Sequence, residues 1–548
     1  MTPDVRRPTP VIVLLIAVLL AVVQLASAQV QAVWVRRYDD GRWLNDYATA
    51  LALDSSANVY VTGYRPSDRG ENDYMTLKYH PDGSREWAQP FDGPNHTEDQ
   101  ACAIAVDPGG SVYVTGMSRY SSRRSDFATV KYNPAGVQQW YELHNAGDTA
   151  DDVAIALAVD RNRDVVVSGY SRTGSDYDII TVKYDSLGDT IWTRRYAGPG
   201  GGVDRPWAMT VDSTGNVYVA GQSHAVAGSS DSADLLTIKY GSDGSEQWAA
   251  RWSGPRSGPD AARGITLDGA GSVCVCGYTD DAAGGSADYV TVKYDAAGET
   301  LWSRTLNGTG NAADSAKAIV IDRFGNVCVT GTCRGESSGQ DYATIRYGSD
   351  GVTQWVRYYD HDRGDDSPSA ISVDRAGNIY VTGGSWDSLD ATDFLTVKYN
   401  PSGDSLWTAR YDDDRRYDAA VAIAVDTAGY VYVAGTSWNG YSLEDYATIK
   451  YQQASGIAEK PAPRPSSPVS VPSPATVVRG VLYIRALGRT PAAQWAMLDI
   501  VGRCITRIPQ STSGNTQAVD ISGLAPGVYL LRLAASGEQF VQKIVVQR

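Results

Sequence analysis

An internal repeat constrains the fold of this chain more than any other feature. Four short sequence words recur along most of the 548 residues. One word ends in a basic residue followed by tyrosine, and its copies lie 52 to 56 residues apart. The tyrosines are Tyr79, Tyr132, Tyr184, Tyr240, Tyr294, Tyr347, Tyr399 and Tyr451. A regular period of this length is typical of proteins built from stacked structural repeats.

The other three words follow the same period. The word Gly-x-x-x-Trp places tryptophans at Trp87, Trp140, Trp192, Trp248, Trp302, Trp355 and Trp407, and Trp34 begins the series without its glycine. The word "AIAVD" occurs at residues 103–107 and 422–426, with relatives in the other repeats. The word "NVYVTG" occurs at residues 58–63. Each word is a short β-type run bounded by turn residues.

Four strands in about 53 residues match one blade of a β-propeller. An immunoglobulin-like array needs nearly twice that period, and a β-helix coil needs less. Side-chain size favours the same fold, because small residues in "AIAVD" suit a crowded inner strand and tryptophan suits a wide outer one. The chain enters the repeats at a Trp strand and leaves them at a Lys-Tyr strand. We therefore predict an all-β, eight-bladed propeller over residues 29–451, with four-stranded blades and the first strand closing the last blade.

The two ends of the chain differ from the repeats. Residues 1–28 read as a signal peptide, with Arg6 and Arg7 before an apolar run and a small-x-small pattern at residues 26–28. An uncleaved membrane anchor is the alternative, and after cleavage no other stretch is apolar enough to span a bilayer. Residues 452–475 are rich in Pro and Ser and predict a linker. Residues 476–548 carry short strand patterns that predict a small Ig-like β-sandwich.

Two resemblances to known families follow from these residues. "AIAVDPGGSVYVTG" (103–116) and "AIAVDTAGYVYVAG" (422–435) resemble the SBBP bacterial β-propeller repeat, which implies an exported structural repeat without a defined activity. "LDIVGRCI" (498–505) and "DISGLAPGVYLLRL" (520–533) resemble the C-terminal sorting domain of the type IX (Por) secretion system, although the usual "PNP" is absent. The second resemblance implies the type IX machinery as a partner and a location outside the outer membrane.

The net charge of −15 restricts the partners. It opposes nucleic-acid binding and docking on anionic lipid, because both need basic surface. We expect a monomer whose partner is an extracellular polysaccharide or another surface protein.

Two sets of aspartates recur once per repeat. One lies eight residues before the last residue of the "AIAVD" word: Asp46, Asp99, Asp152, Asp204, Asp260, Asp314, Asp366 and Asp418. The other opens the "DYATVKY" word: Asp73, Asp126, Asp178, Asp234, Asp288, Asp341, Asp393 and Asp445. They could bind cations through convergent carboxylates. Alternatively, each could accept backbone N–H bonds and hold a loop, as a residue present in every blade should.

An active or binding site should break the eightfold pattern. Such a break occurs in "YYDHDRGDDSPS", which groups oxygen and imidazole ligands at Asp360, His361, Asp362, Asp365 and Asp366. We take these as a candidate Ca²⁺ patch, although the spacing is not that of an EF-hand. A solvated acidic loop is the alternative interpretation. No other cofactor is expected.

No catalytic motif is identifiable in the sequence. HExxH, Walker and dinucleotide-binding patterns are absent. The tryptophan word resembles the docking pattern of eight-bladed quinoproteins, but the vicinal Cys pair that many of them carry is missing. We therefore expect a non-enzymatic binding, adhesion or scaffold module on the cell surface. The alternative is a secreted hydrolase, lyase or quinoprotein-like enzyme with its site on the face that carries the long loops.

Overall fold

A computed structural model describes residues 30–453, except for short gaps, and seven strands between residues 476 and 546. The gaps are residues 40–44, 122–123, 147–150, 175, 200, 225–232, 255–257, 281–285, 309, 336–338, 362–363, 387–391, 414–416 and 439–443. The signal peptide predicted at 1–28, and all but the first two residues of the linker predicted at 452–475, lie outside the described residues.

The repeats form 32 strands. The first sixteen are β1 (Val30–Tyr38), β2 (Tyr47–Leu53), β3 (Val59–Pro66), β4 (Asn72–Tyr79), β5 (Arg85–Phe91), β6 (Asp99–Val106), β7 (Val112–Ser121), β8 (Arg124–Tyr132), β9 (Gln138–His144), β10 (Asp152–Val159), β11 (Val165–Thr173), β12 (Asp176–Tyr184), β13 (Thr190–Tyr196), β14 (Arg205–Val211), β15 (Val217–His224) and β16 (Ala233–Tyr240). The next sixteen are β17 (Glu246–Trp252), β18 (Ala261–Leu267), β19 (Val273–Asp280), β20 (Ala287–Tyr294), β21 (Thr300–Leu306), β22 (Ser315–Ile321), β23 (Val327–Arg334), β24 (Gln340–Tyr347), β25 (Thr353–Tyr359), β26 (Asp366–Val373), β27 (Ile379–Trp386), β28 (Thr392–Tyr399), β29 (Ser405–Tyr411), β30 (Asp418–Val425), β31 (Val431–Trp438) and β32 (Glu444–Gln453).

These strands make eight antiparallel four-stranded sheets, which confirms the predicted propeller. Blade 1 is β2 to β5, each later blade takes the next four strands, and blade 8 is β30, β31, β32 and β1. The first strand of each blade contacts the first strand of the next, and β30 contacts β2. The "AIAVD" strands therefore surround the ring axis, as their small side chains predicted.

The ring closes through the first strand of the chain. β1 pairs antiparallel with β32, with Val35 opposite Ile449 and Tyr38 opposite Tyr446. The strand at the start of the chain thus completes the blade that ends it, and it pairs with the edge of β32 that would otherwise be free. The predicted closure is confirmed.

The Gly-x-x-x-Trp word links one blade to the next. Gly403 has φ +84°, and a Cβ built on it would lie 2.8 Å from the ring of Trp355 in the preceding blade. The Trp355 indole donates a hydrogen bond to Pro401 O at 3.0 Å. Trp34 makes the same contacts with Gly83 and Pro81 of blade 1. The glycine must stay small because the neighbouring indole occupies its Cβ position, so the tryptophans pack blades together.

The hydrophobic core lies between adjacent blades. One cluster joins Tyr380, Phe394 and Trp407 of blade 7 to Ile449 and Tyr451 of blade 8. Similar clusters lie between the other blades. Since both faces of a blade are covered, its middle strands are buried along nearly their whole length.

The chain divides into two compact units, residues 1–454 and 455–548. In the second unit β33 (Thr476–Val478), β39 (Glu538–Val546), β38 (Gly527–Ala535), β35 (Gln494–Leu498) and β36 (Cys504–Ile508) form one sheet, in that order. β34 (Val481–Arg485) pairs with β37 (Thr516–Asp520). The predicted β content is present, and the Ig-like sandwich stays a prediction. Within the described part of the chain, no helix has the length and apolar character needed to cross a bilayer.

Candidate functional site

The topology separates two faces of the ring. In each blade the turn between the second and third strands lies at the same end as the link from the outer strand to the next inner strand. We call this end the long-loop face. Tight turns such as residues 54–58 and 80–84 lie at the opposite end. The inner strands run away from the long-loop face, so their first residues lie at its centre.

The aspartates that begin the inner strands are all buried. Most accept a hydrogen bond from a backbone amide of the preceding loop, as when Gly93 N donates to Asp99 Oδ2 at 2.6 Å. The same contact recurs at Asp152, Asp204, Asp260, Asp314, Asp366 and Asp418. The loop-holding interpretation therefore describes this set well.

The aspartates of the second set fall into two groups. In blades 3, 4, 7 and 8 an arginine of the outer strand pairs with the carboxylate. The pairs are Arg195 with Asp178, Arg251 with Asp234, Arg410 with Asp393 and Arg37 with Asp445. In blades 1, 2, 5 and 6 the equivalent outer-strand residues are Pro90, Leu143, Thr305 and Tyr358. No arginine stands at this position in half of the blades.

The two sets of aspartates meet where neighbouring blades join. At the junction of blades 6 and 7, carboxylate oxygens of Asp341, Asp360 and Asp366 lie within 4.8 Å of one another. We call these three residues the 6–7 junction. Equivalent groups lie at three other junctions: Asp73, Asp92 and Asp99; Asp393, Asp412 and Asp418; and Asp445, Asp39 and Asp46.

The structure brings together only part of the predicted Ca²⁺ patch. Asp360 and Asp366 belong to the 6–7 junction, whereas His361 directs its backbone amide to Asp366 Oδ2 at 2.7 Å. Asp365 is exposed, and its Oδ1 accepts a hydrogen bond from Gln340 N at 2.9 Å. Asp362 lies outside the described residues. The third carboxylate, Asp341, comes from the preceding blade, a partner that local spacing could not indicate.

Burial changes the proton affinity of these carboxylates. It raises the pKa of Asp366 to about 6, and the negative charges of Asp341 and Asp360 act in the same direction. The Ser385 hydroxyl and the His361 amide oppose the shift. Burial likewise raises the pKa of Asp99 to about 6. A buried carboxylate with a raised pKa lacks full compensation of its negative charge.

The histidines of the long-loop face do not converge. His96 pairs with Asp92 at 2.6 Å, and the His144 ring packs on Phe127. His224 donates its amide to Asp204, and His361 lies at the 6–7 junction. Each belongs to a different blade junction, so they do not form one imidazole site.

A second break in the eightfold pattern lies on the inner strands. Each inner strand has a β-bulge at one equivalent residue. A bulge leaves its residue unpaired and re-aims the side chain. The bulge residues are Thr49, Cys102, Ile155, Trp207, Arg263, Lys317, Ser369 and Val421, in blade order. Three consecutive blades therefore carry Trp, Arg and Lys where the others carry small or aliphatic side chains.

These side chains contact one another across the blades. The Arg263 guanidinium lies 3.8 Å from the centre of the Trp207 ring and 5.5 Å from that of Tyr278. Lys317 is exposed, yet protein atoms around it lower its pKa, and the positive charge of Arg263 contributes. Lys317 Nζ donates to Ser367 Oγ at 2.6 Å. The group forms a continuous arc near the ring axis.

Arg205, the first residue of β14, extends this arc. Its guanidinium lies 4.7 Å from the Tyr170 ring centre and 4.4 Å from the Tyr177 ring centre. Its Nε is buried without a hydrogen-bond partner among the described residues. We call Arg205, Trp207, Arg263 and Lys317 the axial patch. In the part of the chain that the structure describes, no carboxylate forms an ion pair with any of its three cations.

The sequence contained the signal for the axial patch. The position lies three residues after the aspartate at the start of each inner strand, where an alignment of the eight repeats places Trp, Arg and Lys in consecutive repeats. The small residues of the "AIAVD" word indicate packing on the inner strands, so the sequence pattern points to the acidic loops and not to the axial patch. A bulge makes a strand residue available for contacts that strand alternation alone does not predict.

Two family models match the chain. Residues 354–390 match the Beta-propeller repeat model, SBBP, and residues 472–547 match the Secretion system C-terminal sorting domain model. Both predicted resemblances are confirmed. The sorting domain indicates a secreted or cell-surface protein and implies interaction with the type IX secretion machinery.

Similarity to individual proteins is low. An uncharacterized WD repeat-containing protein of Acanthamoeba polyphaga mimivirus is 21% identical over 416 residues, which cover 52% of this chain and 29% of that protein. The regulatory protein FlaEY of Caulobacter vibrioides is 27% identical over 153 residues, 28% of this chain and 12% of that protein. The chain thus spans less than a third of the length of these curated relatives. A solved structure of a protein of unknown function from Dyadobacter fermentans aligns over 78% of this chain and 100% of its own, at 9% identity and with a TM-score of 0.38.

Proposed function

We propose that this protein is a non-enzymatic binding module outside the cell, and that it holds an anionic polysaccharide at the axial patch. The observation that carries the proposal is the row of Trp207, Arg263 and Lys317 at consecutive bulges. A residue needed to fold or pack each blade should recur in every blade, whereas each of these three occurs in one blade only.

The chemistry of the patch suits an acidic sugar. Aromatic faces such as Trp207 pack against the C–H faces of a sugar ring, and Tyr170 and Tyr278 add further aromatic surface. Arginine presents a planar fork of donors that matches a carboxylate or a sulfate. Stacking on Trp207 and the tyrosines holds Arg263 and Arg205 in fixed orientations, so less side-chain entropy is lost on binding.

The charge distribution supports an anionic ligand. The chain has a net charge of −15, but the axial patch places three cations together. Because none of them has an acidic partner among the described residues, they remain available to a ligand. An extended polymer can follow the arc from blade 4 to blade 6, which makes a chain of sugars a better fit than one monosaccharide.

Calorimetric titration of the full-length protein tests this function. The ligands are oligosaccharides of uronic acids or sulfated sugars, with a neutral oligosaccharide of equal length as comparison. We expect binding of an anionic ligand that weakens with added salt. Arg263→Gln and Trp207→Ala should each lower the affinity at least tenfold, whereas Val421→Ala, at the equivalent bulge of blade 8, should not.

Two results would overturn the polysaccharide proposal. One is an absence of binding to every anionic oligosaccharide tested. The other is binding that Arg263→Gln and Val421→Ala alter equally. Tight binding of a purified surface protein, unaffected by patch variants, would favour the protein-partner alternative.

A lyase is the second candidate, and one observation favours it. The pKa of Lys317 is lowered, as is useful for a general base. Arg263 lies beside it and could neutralise the carboxylate of a substrate. In a lyase such a base removes the proton from the carbon next to the uronate carboxylate. A C=C bond forms as the glycosidic C–O bond breaks, and the departing sugar oxygen takes a proton from water. Incubation with a polyuronate and measurement of ultraviolet absorbance by the unsaturated product distinguishes this activity from simple binding.

A further inference from the structure

We propose that Arg205 and Arg263 form two separate anion subsites, so that the ligand of the axial patch carries acidic groups on at least two of its sugars. The two-subsite arrangement rests on the proposed polysaccharide function and adds the charge pattern of the ligand. The two arginines lie on the inner strands of adjacent blades, β14 of blade 4 and β18 of blade 5. A ligand with a single acidic group would leave one of them unused.

The Arg205 subsite is built by two blades. Its guanidinium lies 4.7 Å from the ring centre of Tyr170 and 4.4 Å from that of Tyr177, and both tyrosines belong to blade 3. These two rings meet edge to face, with their centres 5.4 Å apart. The backbone fixes Tyr177 beside β14, because its carbonyl accepts the Asp204 amide at 2.6 Å and its amide donates to Gly202 O at 3.1 Å. The junction of blades 3 and 4 therefore sets the support of Arg205.

The Arg263 subsite uses different rings. Its guanidinium lies 3.8 Å from the ring centre of Trp207 in blade 4 and 5.5 Å from that of Tyr278 in its own blade. The Trp207 indole donates a hydrogen bond to Gln222 Oε1 at 3.4 Å, which orients the ring. Among the described residues, no aromatic ring lies against both guanidinium groups. Each arginine is thus oriented without the other.

The N–H groups of both arginines are available to a ligand. Neither guanidinium donates a hydrogen bond to, or forms an ion pair with, any residue in the described part of the chain. Both side chains are half-buried, and Arg205 Nε is fully buried. A guanidinium presents five donors in a planar fork that matches a carboxylate or a sulfate. Because a desolvated charge without a partner is costly, an acidic group of a ligand should bind favourably at each arginine.

Four arginines of the outer strands provide an internal comparison. Each lies over the tryptophan two residues before it, at 5.5 to 5.8 Å, and donates its Nε to a glycine carbonyl of the next blade at 2.5 to 2.8 Å. These residues are Arg36, Arg194, Arg304 and Arg357. Their donors join neighbouring blades. Arg205 and Arg263 are also held by aromatic rings, but no described carbonyl accepts their donors, so blade packing does not explain them.

The geometry favours one acidic group per arginine. A bidentate pair with one guanidinium occupies both oxygens of a carboxylate. Since separate sets of rings orient Arg205 and Arg263, two acidic groups satisfy the two forks better than one. A polymer with acidic groups on two of its sugars meets this requirement, whereas a neutral polymer with one acidic end group does not.

A double-mutant cycle in the full-length protein tests the two subsites. The probes are hexasaccharides of galacturonate, of hyaluronate and of heparin, titrated by calorimetry. Arg205→Gln and Arg263→Gln should each lower the affinity for the tightest of these ligands roughly tenfold or more, because each removes a charge-assisted hydrogen-bonded pair. The double variant should lower it by about the product of the two factors, as expected for sites that share no partner.

Two further comparisons separate the subsites from general effects of charge and folding. Arg194→Gln is the matched control, because it removes the same charge from a stacked arginine of the outer strand, and it should bind like the wild type. Tyr177→Leu should lower the affinity as Arg205→Gln does, whereas Tyr177→Phe, which keeps the ring, should not. The Tyr177 pair tests the same subsite without a change of charge, so it remains informative if Arg205→Gln folds poorly.

The possible results distinguish this inference from the function on which it rests. A double variant that binds no more weakly than the weaker single variant overturns the two-subsite arrangement and leaves the polysaccharide function standing. Wild-type affinity in both Arg205→Gln and Tyr177→Leu has the same meaning. If the wild type binds none of the three hexasaccharides, the proposed function itself is wrong, and the two subsites with it.

Discussion

The guanidinium of Arg263 lies 3.8 Å from the centre of the Trp207 ring, and the two residues belong to different blades. Each stands at the bulge of its inner strand, where the strand ladder does not use its backbone. The repeat thus supplies one unpaired position per blade at equal spacing around the axis. Five blades place small or aliphatic side chains there, and three adjacent blades use the position to build the axial patch.

Replacement of Arg263 by Lys tests whether the affinity of the axial patch for its ligand depends on the stacking of Arg263 on Trp207 as well as on charge. Lysine keeps the positive charge but loses the planar contact with Trp207. Since such contacts contribute about 0.5–2 kcal/mol, affinity for an anionic oligosaccharide should fall about 2- to 30-fold. Titration calorimetry measures the change. Equal affinity in both proteins would show that charge alone is sufficient.

Gly403 tests the contact that links blades. Gly403→Ala would place a methyl group 2.8 Å from the Trp355 ring at a positive φ of 84°. Gly70→Ala is the matched control, with φ +86° and open space around it. The control should cost about 1–2 kcal/mol from backbone strain, and Gly403→Ala roughly 1–3 kcal/mol more from the clash. Chemical denaturation gives both values, and equal losses would contradict the blade-linking role of the tryptophan.

Deletion of residues 30–38 tests ring closure. It removes β1, breaks its pairing with β32 and removes the Arg37–Asp445 ion pair. The exposed edge of β32 should lower the melting temperature and promote association between copies. Scanning calorimetry and gel filtration measure the two effects, with a chain that begins at residue 30 as control. An unchanged melting temperature would show that the strand does not close the ring.

Stability should fall as pH rises from about 4 to 7. Burial raises the pKa of Asp418 to about 7 and that of Asp126 to about 6, above the unfolded value of about 3.9. The folded protein therefore binds more protons in this range, and the stabilisation present at low pH is lost as each folded-state pKa is passed. Buried His144, whose pKa is lowered, acts in the opposite direction.

Thermal unfolding at a series of pH values, with EDTA present, measures this dependence. The melting temperature should be higher near pH 5 than near pH 8, and Asp418→Asn should flatten the curve. A melting temperature that rises steadily from pH 5 to pH 8 would contradict the prediction. It would mean that hydrogen bonds or positive charges stabilise the ionised form of the buried carboxylates, so that burial does not raise their pKa values.

The sequence predicted the architecture because the repeat encodes it locally. The spacing of Trp34 and Tyr451 indicated closure, and the glycine of each Gly-x-x-x-Trp word marked a position that the structure explains by the preceding indole. The candidate site was only partly predictable. Asp360 and Asp366 are neighbours in sequence, but Asp341 reaches them only because two blades pack side by side.

The inner-strand bulges escaped prediction for a different reason. A bulge adds one residue to a strand without changing its composition, so Trp207 and Lys317 looked like ordinary strand residues. Their contacts depend on which side of the strand the extra residue turns to, and sequence alternation alone does not fix that. Only the register of each pair of strands reveals the positions.

Hydrogen–deuterium exchange with and without a bound anionic oligosaccharide tests the central claim most directly, because it locates the ligand on the ring. We expect protection in peptides that contain the starts of β14, β18 and β22, around Trp207, Arg263 and Lys317, and none in the equivalent peptides of blades 8 and 1. Protection spread equally over all eight inner strands, or confined to blades that lack the patch, would contradict the account.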